Sequence, residues 1–167
     1  VEPHTMCVDS NQIEKLITKK TKAIMPVHIY GLPVDMDPLM RLAKKYKLAV
    51  VEDAAESTGA EYRGKLTGTI GDFGCFSFYA NKIITTGEGG IVLTNNDKLA
   101  EHARLLKDMA HSPKQRFLHE EIGFNYRMTN MQAALGVAQL EELDKNLETK
   151  TWMAGIYNKR LSGLDGH

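Results

Sequence analysis

Three residues carry side chains that could do chemistry in concert: Lys82, Asp53 and Ser77. Lys82 follows the aromatic run Phe76-Ser77-Phe78-Tyr79 and precedes the glycine-rich run Thr85-Thr86-Gly87-Glu88-Gly89-Gly90. A lysine in a loop is ordinarily a solvated surface charge, because its ammonium is costly to bury. Held at a strand end, however, it can lose its proton more easily and supply the neutral amine that forms an imine with a carbonyl cofactor. Asp53 follows an apolar run at residues 48–51, and the next residues, Ala54 and Ala55, are too small to shield it. Two readings stand for Asp53: the cap of a following helix, or an anion beneath a pyridine ring, keeping the ring nitrogen protonated so that the ring withdraws electrons. Ser77 and residues 85–90 offer hydroxyl and backbone N–H donors of the kind that hold phosphate, although Gly87, Gly89 and Gly90 equally permit a tight turn. The combination is more informative than any member.

These residues need a scaffold, and the hydrophobic pattern supplies one. Residues 5–8 read as a short strand, after which Asp9-Ser10-Asn11 offers capping chemistry to a helix carrying Ile13, Leu16 and Ile17. Residues 22–27 are apolar on both faces, as in a strand inside a parallel sheet, and Gly31 and Pro33 break the chain after it. Pro38 suits the first turn of a helix whose stripe is Leu39, Met40, Leu42, Ala43 and Tyr46, before residues 48–51 return as a strand. Such a strand–helix–strand unit predicts a right-handed crossover, with ligands gathering beyond the carboxyl ends of the strands, where Glu52 and Asp53 stand.

From residue 60 to 78 short strands are punctuated by Gly64, Gly68, Gly71 and Gly74 and end in the apolar run at 73–78. Residues 91–93 form a further strand, Asp97 begins a helix with Leu99, Ala103, Leu105 and Leu106, and residues 130 to about 147 read as a long helix continuing or resuming through 152–161.

Five ordered segments carry a resemblance. They are Pro26-Val27-His28-Ile29-Tyr30-Gly31, Val51-Glu52-Asp53-Ala54-Ala55-Glu56-Ser57-Thr58-Gly59-Ala60, Gly71-Asp72-Phe73-Gly74-Cys75-Phe76-Ser77-Phe78, Asn81-Lys82-Ile83-Ile84 with the run at 85–90, and Gly123-Phe124-Asn125-Tyr126-Arg127-Met128. Together they resemble the DegT/StrS pyridoxal-phosphate nucleotide-sugar aminotransferases, over about residues 5 to 160.

The resemblance implies an α/β fold, a mostly parallel sheet with flanking helices that forms part of the large domain of the fold-type I pyridoxal-phosphate aminotransferases. Residues 1–150 would be the central part of that cofactor-binding domain and 151–167 the start of a connection to a C-terminal small domain beyond this chain. It implies Lys82 as the Schiff-base lysine and proton shuttle, Asp53 at the pyridine nitrogen, Ala55 against the ring face and Ser77 at the cofactor phosphate. Glu56 occupies the position where many members place a glutamine near the cofactor's hydroxyl. Asn125 would reach the phosphate of the neighbouring subunit's cofactor, making the protein a homodimer with shared active sites.

The reaction so implied moves nitrogen from an amino acid, glutamate as the usual donor, to a nucleotide-linked 4-keto-6-deoxy sugar, in amino-sugar or O-antigen (lipopolysaccharide) biosynthesis. The run Ser77-Phe78-Tyr79-Ala80-Asn81-Lys82 resembles members acting on a GDP-linked 4-keto-6-deoxymannose, with Tyr79 either touching substrate or packing. A relative with histidine in place of the lysine dehydrates its substrate instead, and Lys82 argues against that chemistry.

Composition narrows the remaining classes. Lys plus Arg equal Asp plus Glu at 21 each, so no global field attracts nucleic acid or an anionic membrane. Cys7 and Cys75 lie far apart, match no metal spacing and suit a reducing, cytoplasmic compartment, and no apolar run approaches a membrane span. His28 stands at a strand end, near the site or as a hydrogen-bonded structural residue, while His102, His111 and His119 read as solvated. The apolar positions Met128, Met131, Ala134, Leu135 and Ala138 suit a core or dimer-forming helix. Two competing readings are a truncated, catalytically incomplete module that binds cofactor weakly or serves in subunit pairing, and a nicotinamide-binding domain. The second lacks the Gly-x-Gly-x-x-Gly run between strand and helix that it needs.

Overall fold

The computed structural model describes residues 1–112, 114–115 and 117–164. Its centre is a four-stranded sheet in the order β1 (Ala23–Ile24), β2 (Ala49–Asp53), β5 (Phe73–Ser77) and β6 (Gly90–Leu93). A small antiparallel ribbon, β3 (Glu61–Tyr62) with β4 (Lys65–Leu66), sits between β2 and β5 in sequence. β1 and β5 both run parallel to β2, and β6 is antiparallel to β5. The expected α/β architecture with a mostly parallel sheet and flanking helices is therefore present.

Packing explains the parallel part. Helix α2 (Met36–Tyr46) places Met36, Leu39, Leu42 and Ala43 on one buried stripe, and these join Ile24 and Val50 of the sheet with Cys7, Ile13 and Val34 in a single core. Each of the buried Val, Leu, Ile and Met side chains contributes about 1.5–3 kcal/mol when taken out of water. The helix ends at Lys47, whose left-handed backbone (φ 53°) lets its N–H bond back to Ala43 and Lys44 carbonyls. The chain then returns directly as β2.

Residues 5–8 are not the strand that their apolar character suggests. Met6 has a left-handed backbone, and the Glu2 carboxylate accepts the His4 and Thr5 N–H groups. Backbone bonds from Glu2 to Cys7 and from Met6 to Glu2 close the segment into a turn. α1 (Ser10–Ile13) follows, capped by Asp9 as expected, and tightens into a 3-10 turn over Glu14–Leu16. β1 is also shorter than residues 22–27, and Met25 is exposed rather than buried on a second face. Pairing with β2 resumes after Pro26 as a single parallel bridge from Val27 to Asp53.

Beyond the sheet, α3 (Asp97–Lys107) begins after an Asn96 cap, and α4 (Asn130–Glu141) opens with a Thr129/Gln132 capping box. The long helix expected from residue 130 breaks at Glu142, and α5 (Leu143–Leu161) follows without interruption. No glycine or proline marks that break. The boundary expected at residue 150 falls within α5, and residues 165–167 of the segment 151–167 lie outside the described residues. Among the described residues α4 and α5 bury none; Met131, on the stripe read as core or dimer-forming, is 84% exposed.

Candidate active site

Asp53 and Ser77 are brought together by strand register. Parallel pairing matches Val51 with Phe73, Glu52 with Gly74 and Asp53 with Cys75. Register partners in neighbouring strands point to the same face, and alternation puts residues two apart on one face as well. Asp53, Cys75 and Ser77 therefore share a face at the carboxyl ends of β2 and β5. Ser77 lies one pleat repeat, about 6–7 Å, beyond the Asp53 row. That offset suits a ring held at one end by a carboxylate and at the other by a phosphate-binding hydroxyl.

No helix follows Asp53, so the capping reading has nothing to cap. Among the described residues Asp53 Oδ1 accepts only a local bond, from the Ala55 N–H at 3.1 Å, while its backbone is fixed by the Asp53 N–H to Pro26 (2.8 Å) and the His28 N–H to the Asp53 carbonyl (3.0 Å). Ala54 is buried and Ala55 half-buried at the start of the turn. Ser77 Oγ accepts the Tyr79 N–H at 3.2 Å, which leaves its own proton free to donate.

Lys82 sits on the excursion that joins β5 to the antiparallel β6. Phe78 closes the base of this excursion: its N–H donates to the Gly89 carbonyl at 2.9 Å, and its carbonyl accepts the Thr86 N–H at 3.0 Å. Inside it the Lys82 N–H donates to the Tyr79 carbonyl at 3.0 Å. The side chain is half-buried, and among the described residues its ammonium has no hydrogen-bond or ion-pair partner. Its nitrogen is uncommitted.

Sequence reasoning missed what holds this excursion. Gln139 of α4 takes the Thr85 N–H at 3.1 Å and donates back to the Thr85 carbonyl at 2.5 Å, and Gln132 donates to the Glu88 carbonyl at 3.2 Å. Gly136 lies between the two glutamines, where a side chain would crowd Thr86. The spacing of 132, 136 and 139 puts all three on one helix face, a polar signal within a Met- and Ala-rich stretch. Gly87 and Gly89 both have left-handed backbones, φ 79° and 137°, so the glycine run does make a tight turn as well as exposing N–H groups.

The remaining candidates are placed apart from this cluster or engaged. Glu56 is exposed, and its Oε2 accepts the Tyr30 N–H at 2.7 Å, tying the turn after β1 to the turn after β2. Asn125 lies on the segment between α3 and α4, bridged to Asp108, with its Oδ1 taking the Arg127 Nε–H at 3.2 Å. Tyr79 is exposed. His28 is fully buried and hydrogen-bonded to Glu52; the structural reading of this histidine describes its contacts.

Asp53 and Ser77 on one face, with Lys82 on the excursion that leaves β5, are the residue types that would hold a small phosphorylated pyridine. No group of three or more His, Cys, Asp or Glu among the described residues could hold a metal ion. Among the described residues no helix is long and apolar enough to cross a membrane.

Residues 1–167 match the DegT/DnrJ/EryC1/StrS aminotransferase family, to which this chain belongs. Pyridoxal phosphate is the cofactor of that family's aminotransferases. The GDP-perosamine synthase of Caulobacter vibrioides is 51% identical over 163 residues, covering 98% of this chain and 44% of the relative. The GDP-perosamine synthase of Escherichia coli O157:H7 is 48% identical, covering 92% and 42%. Among solved structures, S. venezuelae DesV in complex with a ketimine intermediate superposes with a TM-score of 0.89 at 41% identity, over 96% of this chain and 43% of that one. The chain thus spans about 44% of the length of its first curated relative.

Proposed function

We propose that this chain carries the cofactor-binding core of an aminotransferase that moves an amino group from an amino acid, glutamate in the first instance, to the ketone of a nucleotide-linked 4-keto-6-deoxy sugar. The observation that carries this reading is the shared face of Asp53 and Ser77 with the uncommitted amine of Lys82 on the adjoining excursion. The similarity to two GDP-perosamine synthases supports a GDP-linked 4-keto-6-deoxymannose as acceptor.

Pyridoxal phosphate, when bound, supplies a carbonyl carbon that accepts nitrogen and a pyridinium ring that withdraws electrons. Asp53 holds the proton at the ring nitrogen by placing a negative charge beside it. Ser77 donates its hydroxyl proton to the phosphate while its oxygen accepts the Tyr79 N–H. Ala55 leaves room for the ring face, and Glu56 stands at the edge of the same turn. Lys82 attaches the cofactor and, once released as an amine, carries the proton between substrate and cofactor carbons as a general base and then a general acid.

Asn125 acts in the partner subunit's site of a homodimer, which is consistent with its position on a separate segment and with the exposed faces of α4 and α5. The reaction belongs in cytoplasmic amino-sugar synthesis that feeds lipopolysaccharide.

The test supplies the chain with pyridoxal phosphate, glutamate and GDP-4-keto-6-deoxymannose, with dTDP- and UDP-linked keto sugars in parallel. Formation of the GDP-linked amino sugar and 2-oxoglutarate, absent in Lys82→Ala, supports the reading. Turnover of glutamate with no keto sugar accepted would remove the sugar substrate from it, and no turnover of glutamate would remove the activity.

A further inference from the structure

The roles above leave unused a pair of titratable side chains that are both fully buried, His28 and Glu52. His28 Nδ1 accepts the Val34 N–H at 3.1 Å, which assigns the ring proton of the neutral imidazole to Nε2, 3.0 Å from Glu52 Oε2. The same oxygen accepts the Gly68 N–H at 2.8 Å. Glu52 Oε1 accepts the Ile70 N–H at 2.7 Å and the Gly71 N–H at 2.6 Å. Four donors converge on one carboxylate. Burial alone would push the Glu52 carboxyl up, but the bonds from His28, Gly71, Gly68 and Ile70 outweigh it and hold the group below its ordinary range.

The position of this pair gives it a use. Alternation along β2 places the Glu52 carboxylate on the face opposite Asp53, directly behind the candidate site. The turn that Glu52 grips, residues 68–71, packs on the back of β5. A methyl group on Gly74 would overlap the Gly68 carbonyl, and one on Gly68 would overlap the Phe76 ring and press on Ala54. His28 joins the other side, since its own N–H donates to the Asp53 carbonyl. One carboxylate therefore ties the end of β1, the end of β2 and the turn leading into β5.

We propose that Glu52 and His28 are positioning residues: a buried brace behind the sheet that fixes the ends of β2 and β5 relative to each other, and so sets the spacing of Asp53 from Ser77 for the two ends of pyridoxal phosphate. This rests on the reading of the reaction given above. Both side chains are fully buried, with Glu52 on the face opposite Asp53, so their effect would reach the cofactor through backbone placement alone.

Hydrogen exchange and pyridoxal phosphate binding, measured together on the wild-type chain, Glu52→Gln and His28→Gln, test the brace. In Glu52→Gln, protection of residues 67–71 and 73–77 falls about tenfold or more, as expected for loss of charge-assisted bonds, while α2 keeps its protection. The apparent dissociation constant for pyridoxal phosphate rises by a similar factor, yet saturating cofactor still labels Lys82. His28→Gln alters one donor of four and leaves the three backbone donors, so it serves where Glu52→Gln does not fold; about a threefold change in the same two readouts is expected. Equal loss of protection throughout the molecule, or binding unchanged while residues 67–77 loosen, would overturn the brace and leave a merely structural pair. If the wild-type chain takes up no pyridoxal phosphate, the reading of the reaction fails, and the local exchange pattern alone decides whether the brace exists.

Discussion

Asp53 and Cys75 are register partners at the carboxyl end of the β2–β5 pair, and the thiol feels the carboxylate. Burial first, and then the negative charge of Asp53, push the Cys75 thiol up from its ordinary range. Thiolate is the reactive form, so Cys75 should react slowly with an alkylating reagent at neutral pH. Asp53→Asn removes the charge and should speed alkylation of Cys75 several-fold at the same pH. Bound pyridoxal phosphate, lying on this face, should slow it in the wild-type chain. Mass spectrometry of the alkylated peptide against time measures both effects, with buried Cys7 as the internal control.

Acid should loosen the back of the site. The folded-state value of Glu52 is depressed below the ordinary carboxylate value of 4.5. Its contribution is therefore fully present above about pH 4.5 and is lost as pH falls through the lower, folded value. Glu52→Gln should cost about 1–3 kcal/mol at pH 7 and should flatten the decline in stability below pH 4.5. Urea unfolding of both chains between pH 7 and pH 3 reads this as converging midpoints.

Two glycines predict opposite outcomes for the same substitution. At Gly74 an added methyl meets the Gly68 backbone carbonyl, which cannot yield without moving the turn that Glu52 grips. Gly74→Ala should cost about 3 kcal/mol, as overpacking does, and weaken cofactor binding with it. At Gly155, inside α5, nothing lies within 4 Å of the added methyl, so Gly155→Ala should stabilise by about 0.5–1 kcal/mol through helix propensity. Thermal unfolding of the two variants checks both signs.

Much of the parallel core is legible in the sequence because its periods are local. The stripe of α2 and the apolar run of β2 are written in adjacent residues, and Asp53 is placed at the strand end by counting. Ser77 and Lys82 follow from the aromatic strand and the glycine run in the same way. What was not legible depends on contacts between distant segments. Residues 5–8 look like a strand until the Glu2 side chain closes them into a turn. Glu52 resembles a second carboxylate at the strand end, and only the fold shows that alternation turns it inward to meet His28 and the turn at 68–71, residues 16–24 positions away. The grip of Gln132 and Gln139 on residues 85–88 spans 44 and 54 positions, beyond any periodic signal.

Borohydride trapping shows directly whether Asp53, Ser77 and Lys82 hold pyridoxal phosphate. The chain is incubated with pyridoxal phosphate, reduced and digested, and the modified lysine is located by mass spectrometry. A phosphopyridoxyl group is expected on Lys82 at near-stoichiometric yield, with a yield at least about tenfold lower in Asp53→Asn at the same cofactor concentration and none at this position in Lys82→Ala. Because the Lys82 ammonium has no partner among the described residues, that variant should unfold within about 0.5 kcal/mol of the wild type. Labelling scattered over surface lysines, unaffected by Asp53→Asn, would contradict the site.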